Sequence, residues 1–175
     1  HTPFSDLDLM DEYPTTIDVD INNQTITRNY LNGTTMGNYI RSVHYADQAI
    51  GEFVDNLDKS GLLDNTVLII YGDHDARLDF SDFNTLYNYD PITDTVKTEE
   101  DEGYISYNEY NYELDRKVPF IIWTKDKEFN LEVTTPMGMI DALPTIGNML
   151  GIHSEYQLGQ DIFNLKDDNI VTFVD

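Results

Sequence analysis

No cysteine occurs among the 175 residues. This excludes disulfides, thiolate zinc sites and a cysteine nucleophile. It leaves the compartment open, since cysteine-free proteins occur inside and outside cells. Basic residues are scarce: 10 Lys and Arg stand against 33 Asp and Glu, for a net charge of −23. Such a field repels phosphate backbones and anionic lipid surfaces, which excludes nucleic-acid binding as the main activity. The acidity is spread along the chain, so most of it is expected on a solvated face. An anionic substrate would need a cation to hold it locally. No apolar run approaches the roughly 18–20 residues of a transmembrane helix. Internal repeats, low-complexity linkers and Gly-rich phosphate loops are also missing, which argues against P-loop and dinucleotide-binding folds. The first residue is His1 rather than Met, as expected of a processed product, an excised domain or a fragment.

What is present is enough apolar material, 40% of residues, for a sizeable core in one domain or part of one. The chain is organised around Thr66-Val-Leu-Ile-Ile-Tyr-Gly-Asp-His-Asp75. A β-branched run stopped by Gly72 reads as a short buried strand. Strands of that kind usually lie in parallel sheets covered by helices. In such sheets ligands bind beyond the carboxyl ends of the strands, where Asp73 and His74 fall. A hard carboxylate oxygen beside an imidazole nitrogen suits a divalent metal. Taken alone, the dipeptide is weak evidence and favours a turn-capping Asp73 and an ordinary loop histidine.

The flanking chain is uneven in clarity. Residues 1–8 read as an extended or loop opening, because Pro3 biases Thr2 away from helix. Residues 10–34 read as polar and irregular, with a turn at Asn32-Gly33. Asp18-Val-Asp-Ile-Asn22 resembles a calcium loop only briefly: Asn23 stands where Gly is needed and Asn29 where the bidentate Glu is needed. Thr35–Lys59 carries apolar residues at helical spacing, with Thr34 or Thr35 to cap it and Gly61 to end it. Its apolar face is expected to pack on a sheet. His44 and Asp47, three residues apart on that helix, read as a surface or boundary pair. Residues 76–116 show little periodicity and read as a surface insertion, or as a loop over the site. Asp75 could add a carboxylate to the metal pair, and Arg77 could face an anionic substrate. Val118–Trp123 reads as a second buried strand. Residues 131–139 read as a short extended piece. Ile140–Leu150 reads as a helix capped by Asp141, with Pro144 in its first turn and Gly151 at its end. His153 is expected to be structural or exposed. Residues 158–163 read as turns and Asn169–Val174 as a last strand.

Several segments together resemble the lipoteichoic acid synthase family, sulfatase-like phosphoglycerol transferases of the alkaline phosphatase superfamily. They are His1-Thr-Pro-Phe4, Tyr39–Phe53, Gly61–His74, Val118-Pro-Phe-Ile-Ile122, Ile140-Asp-Ala-Leu-Pro-Thr145, Leu150-Gly-Ile152 and Leu158-Gly-Gln-Asp161. No single motif is decisive, but the ordered set is specific. The resemblance implies an α/β fold: an alkaline phosphatase/sulfatase-like sandwich with a mostly parallel central sheet flanked by helices. Residues 1–175 would be the C-terminal part of one catalytic domain, with 76–117 as an insertion loop. It implies that Asp73 and His74 bind a metal, usually Mn²⁺, with Zn²⁺ or Mg²⁺ as alternatives, and that His1 contacts the phosphoglycerol group.

The resemblance further implies transfer of glycerol phosphate from a phosphatidylglycerol-type lipid to a cell-envelope glycerol phosphate polymer. The protein would sit at the cell membrane with this domain extracellular, attached through segments not present here. The family's threonine nucleophile belongs upstream, so no catalytic residue is expected in this chain and the chain alone is expected to be inactive. After Asp-His the family often carries small or aromatic residues, whereas here Asp75-Ala-Arg77 follows, which bears on the substrate. Other readings are a different sulfatase-superfamily hydrolase, a phosphoethanolamine transferase, or a non-catalytic sulfatase-like module. The residue type of the nucleophile separates the enzymes, and intact metal ligands separate them from the module.

Overall fold

The computed structural model describes residue 4 and residues 12–126, 131–165 and 169–171. The chain divides into two compact units, His1–Lys127 and Glu128–Asp175. Among the described residues the first is built of helices and short strands and the second of one α-helix and two 3₁₀ turns, so the chain as a whole mixes helix and strand.

The first unit opens with a hairpin that the polar reading of residues 10–34 missed. Strands β1 (Ile17–Ile21) and β2 (Gln24–Arg28) pair antiparallel, Ile17 opposite Arg28 and Ile21 opposite Gln24. Asn22 and Asn23 form the connection, with φ of 52° and 62°. Two successive left-handed residues match the right-handed twist of a hairpin, and Asn tolerates that conformation. The two aspartates of the would-be calcium loop accept hydrogen bonds across the hairpin instead: Thr27 donates to Asp18 at 2.6 Å and Thr25 to Asp20 at 2.7 Å.

Helix α1 spans Thr35–Lys59, as the periodicity requires. The Thr34 hydroxyl accepts the Gly37 amide at 3.0 Å, and left-handed Gly61 (φ 73°) follows the last turn. Gly37 is dictated by packing: a Cβ there would sit 2.0 Å from the Leu31 carbonyl oxygen. Buried Arg41 donates to the Tyr13 carbonyl at 2.6 Å and to the Asn32 side chain, tying α1 to the preceding loop. The core of this unit is Phe4, Leu31, Met36 and Leu78, with Tyr39, Phe83 and Leu86 packed against it. The rest of the apolar stripe of α1 is not buried as expected. Ile40, Val43, Ile50 and Phe53 are exposed. A two-stranded sheet is too small to cover the face of a 25-residue helix.

Strands β3 (Val67–Tyr71) and β6 (Phe120–Thr124) are the two buried-strand candidates, and they pair with each other. The register sets Val67 opposite Thr124 and Tyr71 opposite Phe120, antiparallel. The expected mostly parallel sheet is therefore not what the described strands form. All three sheets among the described residues are two-stranded and antiparallel. The parallel reading rested on strand composition, which reports burial but not direction. Lys125, just past β6, donates to Asp58 at 2.5 Å and Asp64 at 2.7 Å, tying the end of β6 to the end of α1 and to the 3₁₀ turn that leads into β3.

Residues 76–116 are folded rather than irregular. They contain α2 (Phe80–Asn88), the small hairpin β4 (Tyr89–Asp90) and β5 (Thr95–Val96), and α3 (Glu109–Leu114). An aromatic cluster holds them together. Tyr107 lies 5.1 Å from Phe83 in a stack, 5.3 Å from Phe80 and 5.3 Å from Tyr87, measured between ring centres. The Tyr107 and Tyr87 hydroxyls both donate to the Asp115 carboxylate, at 2.9 and 3.2 Å. Burial, then the Asp115 carboxylate, pushes both phenols up. Buried Asn88 clamps Ile105, accepting its amide at 2.7 Å and donating to its carbonyl at 3.0 Å.

The second unit centres on α4 (Ala142–Leu150), entered through a 3₁₀ turn at Met139–Asp141 and ended by left-handed Gly151 (φ 68°). Pro144 lies buried in its first turn. Asp141 stands at the start of α4 but makes no side-chain cap to it. Its carboxylate, 4% exposed, instead accepts the Gly138 amide, the Gln160 amide and the Asn169 side-chain amide, each at 2.9 Å. Thr145 completes the knot, donating to the Asp141 carbonyl at 2.7 Å and accepting the Ile162 amide at 3.1 Å. The expected last strand is not formed at Asn169–Val171, and its remainder lies outside the described residues.

Candidate metal centre

The site begins where β3 ends. Gly72 extends the ladder by one bond, its amide donating to the Pro119 carbonyl at 3.1 Å. A Cβ on Gly72 would meet the Val118 Cβ at 2.7 Å, so only glycine lets β3 run this close to the strand beside it. The chain then turns out as Asp73 and His74. Asp73 is 86% exposed and His74 38% exposed at their side chains. The Asp73 Oδ1 and the His74 Nε2 are 3.8 Å apart. That is shorter than two metal–ligand bonds end to end, about 4.2 Å, so one ion can reach both atoms.

The other imidazole nitrogen is occupied. His74 Nδ1 lies 2.6 Å from the Asp75 carbonyl oxygen. A carbonyl can only accept, so Nδ1 carries a proton, and Nε2, on the Asp73 side, is the ring nitrogen through which a metal would be ligated. Metal-binding histidines are usually held in this way. The donor set thus fits a hard or borderline divalent cation.

The loop that follows is anchored. The Asp75 carboxylate, 17% exposed, accepts from Arg116 Nε at 3.0 Å, so it is engaged by a guanidinium rather than offered as an additional ligand. Arg116 also donates to Glu113 at 2.9 Å. Arg77 is exposed with φ 51°, and buried Leu78 fixes the far end of the loop, its carbonyl accepting the Tyr112 hydroxyl at 2.8 Å.

Of the site residues expected from sequence, Asp73 and His74 are thus brought together, while His1 lies outside the described residues. His44 packs its ring on Tyr13 at 4.4 Å and belongs to the boundary of α1. His153 is exposed. Among the described residues no group of three or more His, Asp or Glu side chains could hold a metal. Sequence reasoning did not find Arg116, which lies 41 positions from its partner Asp75. The single available signal was a basic residue placed just before a buried strand.

A sulfatase family model matches residues 1–152. The chain belongs to the sulfatase family. Over 169 residues it is 28% identical to the lipoteichoic acid synthases of Staphylococcus aureus strains USA300, NCTC 8325 / PS 47 and COL. Each match takes in 94% of this chain and 23% of the relative, so the chain spans about a quarter of the length of these proteins. No solved structure matches it. Among the described residues no helix is long and apolar enough to cross a membrane.

Proposed function

We infer that this chain supplies one wall of the active site of a metal-dependent phosphoglycerol transferase of lipoteichoic acid synthase type. The observation that carries the reading is the Asp73–His74 pair, at the carboxyl end of β3, in a sulfatase-family chain similar to lipoteichoic acid synthases. In this reading Asp73 and His74 hold a divalent ion, Mn²⁺ first, with Zn²⁺ or Mg²⁺ as alternatives. When bound, the ion would neutralise phosphate charge and lower the pKa of an attacking hydroxyl. Asp73 supplies the anionic oxygen, and His74 would ligate through Nε2, because its Nδ1 proton is committed to the Asp75 carbonyl. His1 contacts the phosphate or glycerol of the donor lipid.

The nucleophile, a threonine hydroxyl, belongs to a part of the protein outside this chain. That hydroxyl attacks the phosphorus of a phosphatidylglycerol-type headgroup, and diacylglycerol leaves. A glycerol hydroxyl of the polymer then takes the phosphoglycerol group and regenerates the threonine. Such a substrate places the domain at the outer face of a membrane. Catalytic metals usually keep at least three protein ligands, and two stand together among the described residues, so in this reading the chain by itself is inactive. The exposed apolar residues of α1, β3 and β6 favour the same view: Ile40, Phe53, Tyr71 and Trp123 await the remainder of a domain and its larger, mostly parallel sheet.

The test is Asp73→Ala in the intact protein. Mn²⁺ binding by titration calorimetry and phosphoglycerol transfer to polymer should both be lost, by at least 100-fold. Retained binding and turnover would remove Asp73 from the site and the reading with it.

A further inference from the structure

We propose that Arg116 is a positioning residue for the metal pair, acting through Asp75. The inference rests on the reading of Asp73 and His74 as metal ligands and goes beyond it to what holds them. Asp75 uses its two ends differently. Its carbonyl takes the Nδ1 proton of His74 at 2.6 Å, which sets the tautomer and the rotation of the ring. Its carboxylate takes Arg116 Nε at 3.0 Å. The guanidinium thereby fixes the residue whose backbone orients the ligand histidine. Arg116 is itself oriented by Glu113 at 2.9 Å, on α3. Both carboxylates are partly shielded from water, as is Arg116, which is 28% exposed at its side chain.

The arrangement is not an isolated surface pair. The same stretch of chain, α3 and its connection to β6, backs the loop at both ends: Tyr112 holds the Leu78 carbonyl at 2.8 Å, and Pro119 and Val118 hold Gly72. Arg116 is the tie in the middle. The folded segment 76–116 therefore contributes the support of the metal loop as well as a surface. Support of this kind, one shell behind the ligands, usually changes metal affinity 10- to 100-fold when removed.

The test uses the intact protein with Arg116→Gln, Arg116→Lys, Asp75→Asn, the Arg116→Gln/Asp75→Asn double variant, and Asp73→Ala as reference. Mn²⁺ dissociation constants are measured by calorimetry, turnover is measured against Mn²⁺ concentration, and thermal unfolding is followed in chelator. Arg116→Gln and Asp75→Asn should each weaken Mn²⁺ binding by about 10- to 100-fold. The double variant should be no weaker than the worse single one, Arg116→Lys should recover part of the loss, and saturating Mn²⁺ should restore turnover. Wild-type Mn²⁺ affinity in both single variants, or losses that multiply in the double variant, would overturn the proposal. So would a loss that follows the unfolding midpoint alone, with no rescue by Mn²⁺. If Arg116→Gln fails to fold, Asp75→Asn carries the test, because it keeps the carbonyl and the side-chain shape. Unchanged binding in Asp73→Ala would instead overturn the metal reading itself, and that outcome is distinct from a failure at Arg116.

Discussion

Replacing Asp141 by Ala should cost the second unit about 3 kcal/mol. Three donors converge on its carboxylate, the amides of Gly138 and Gln160 and the side chain of Asn169, all at 2.9 Å. Asn169 also donates to the Pro136 carbonyl at 3.0 Å, so it keeps a partner when the carboxylate is gone. The two backbone amides do not. A buried donor left without an acceptor costs about 1–3 kcal/mol, which gives about 2–6 kcal/mol for the pair. Both amides are only partly buried, so water recovers some of this and the lower half of the range applies. Against a typical domain stability of about 5–15 kcal/mol the loss is large. Asp141→Asn should lose less, because one oxygen remains. Its new amide group must still face at least one N–H, since both carboxylate oxygens accept in the native knot.

Urea unfolding followed by far-ultraviolet circular dichroism measures the loss. Hydrogen exchange at the Gly138 and Gln160 amides localises it, with an acceleration of about 100-fold expected from Asp141→Ala. The pH dependence is an independent check. Burial pushes the Asp141 carboxyl up, but the Gln160 and Gly138 amides and the Asn169 side chain outweigh it and hold the group below the usual carboxylate range. Between the folded value and the ordinary one, near about 3.9, the unfolded chain binds more protons than the folded one. The contribution of Asp141 is therefore fully present above that ordinary value and is lost as pH falls through the folded value. Wild type and Asp141→Asn should differ at neutral pH and converge in strong acid. A difference under about 0.5 kcal/mol at neutral pH, with both amides still protected, would refute the reasoning; a change of that size is ordinary for a surface substitution.

Two further outcomes test the local geometry. Gly72→Ala should destabilise the first unit by about 1–3 kcal/mol, because the new methyl group meets Val118 at 2.7 Å; thermal unfolding reads this, and Val118→Ala in the same chain should restore most of it. Asn23→Val should cost about 1–2 kcal/mol, since a β-branched residue is placed at φ 62°, whereas Asn23→Gly should be neutral or stabilising in the same unfolding assay.

Local pattern was a good guide wherever the deciding interactions lie within a few residues. Helix α1 runs over the residues its spacing marks out, because its cap, its hydrogen bonds and its terminating Gly61 all act over three or four positions. The same holds for α4 with Pro144 and Gly151, and for β3 and β6, found to within two residues of their ends. That Asp73 and His74 come close in space was legible for the same reason, since they are neighbours in the chain. The hairpin at residues 17–28 was legible in principle. Ile17, Val19 and Ile21 alternate up to Asn22-Asn23, but the surrounding aspartates and threonines concealed the period.

By itself, then, the sequence determined where α1, α4, β3 and β6 form, that a carboxylate and an imidazole stand side by side at the end of β3, and which family the chain resembles. Those rest on neighbours along the chain. Only the tertiary structure decided that β6 runs antiparallel to β3, that Asp141 joins Gly138 to Gln160 and Asn169 instead of capping its helix, and that Arg116 reaches Asp75 across 41 positions. Such partners are selected by the path of the backbone and by the need to satisfy shielded polar groups, and neither requirement leaves a periodic trace in a short window of residues.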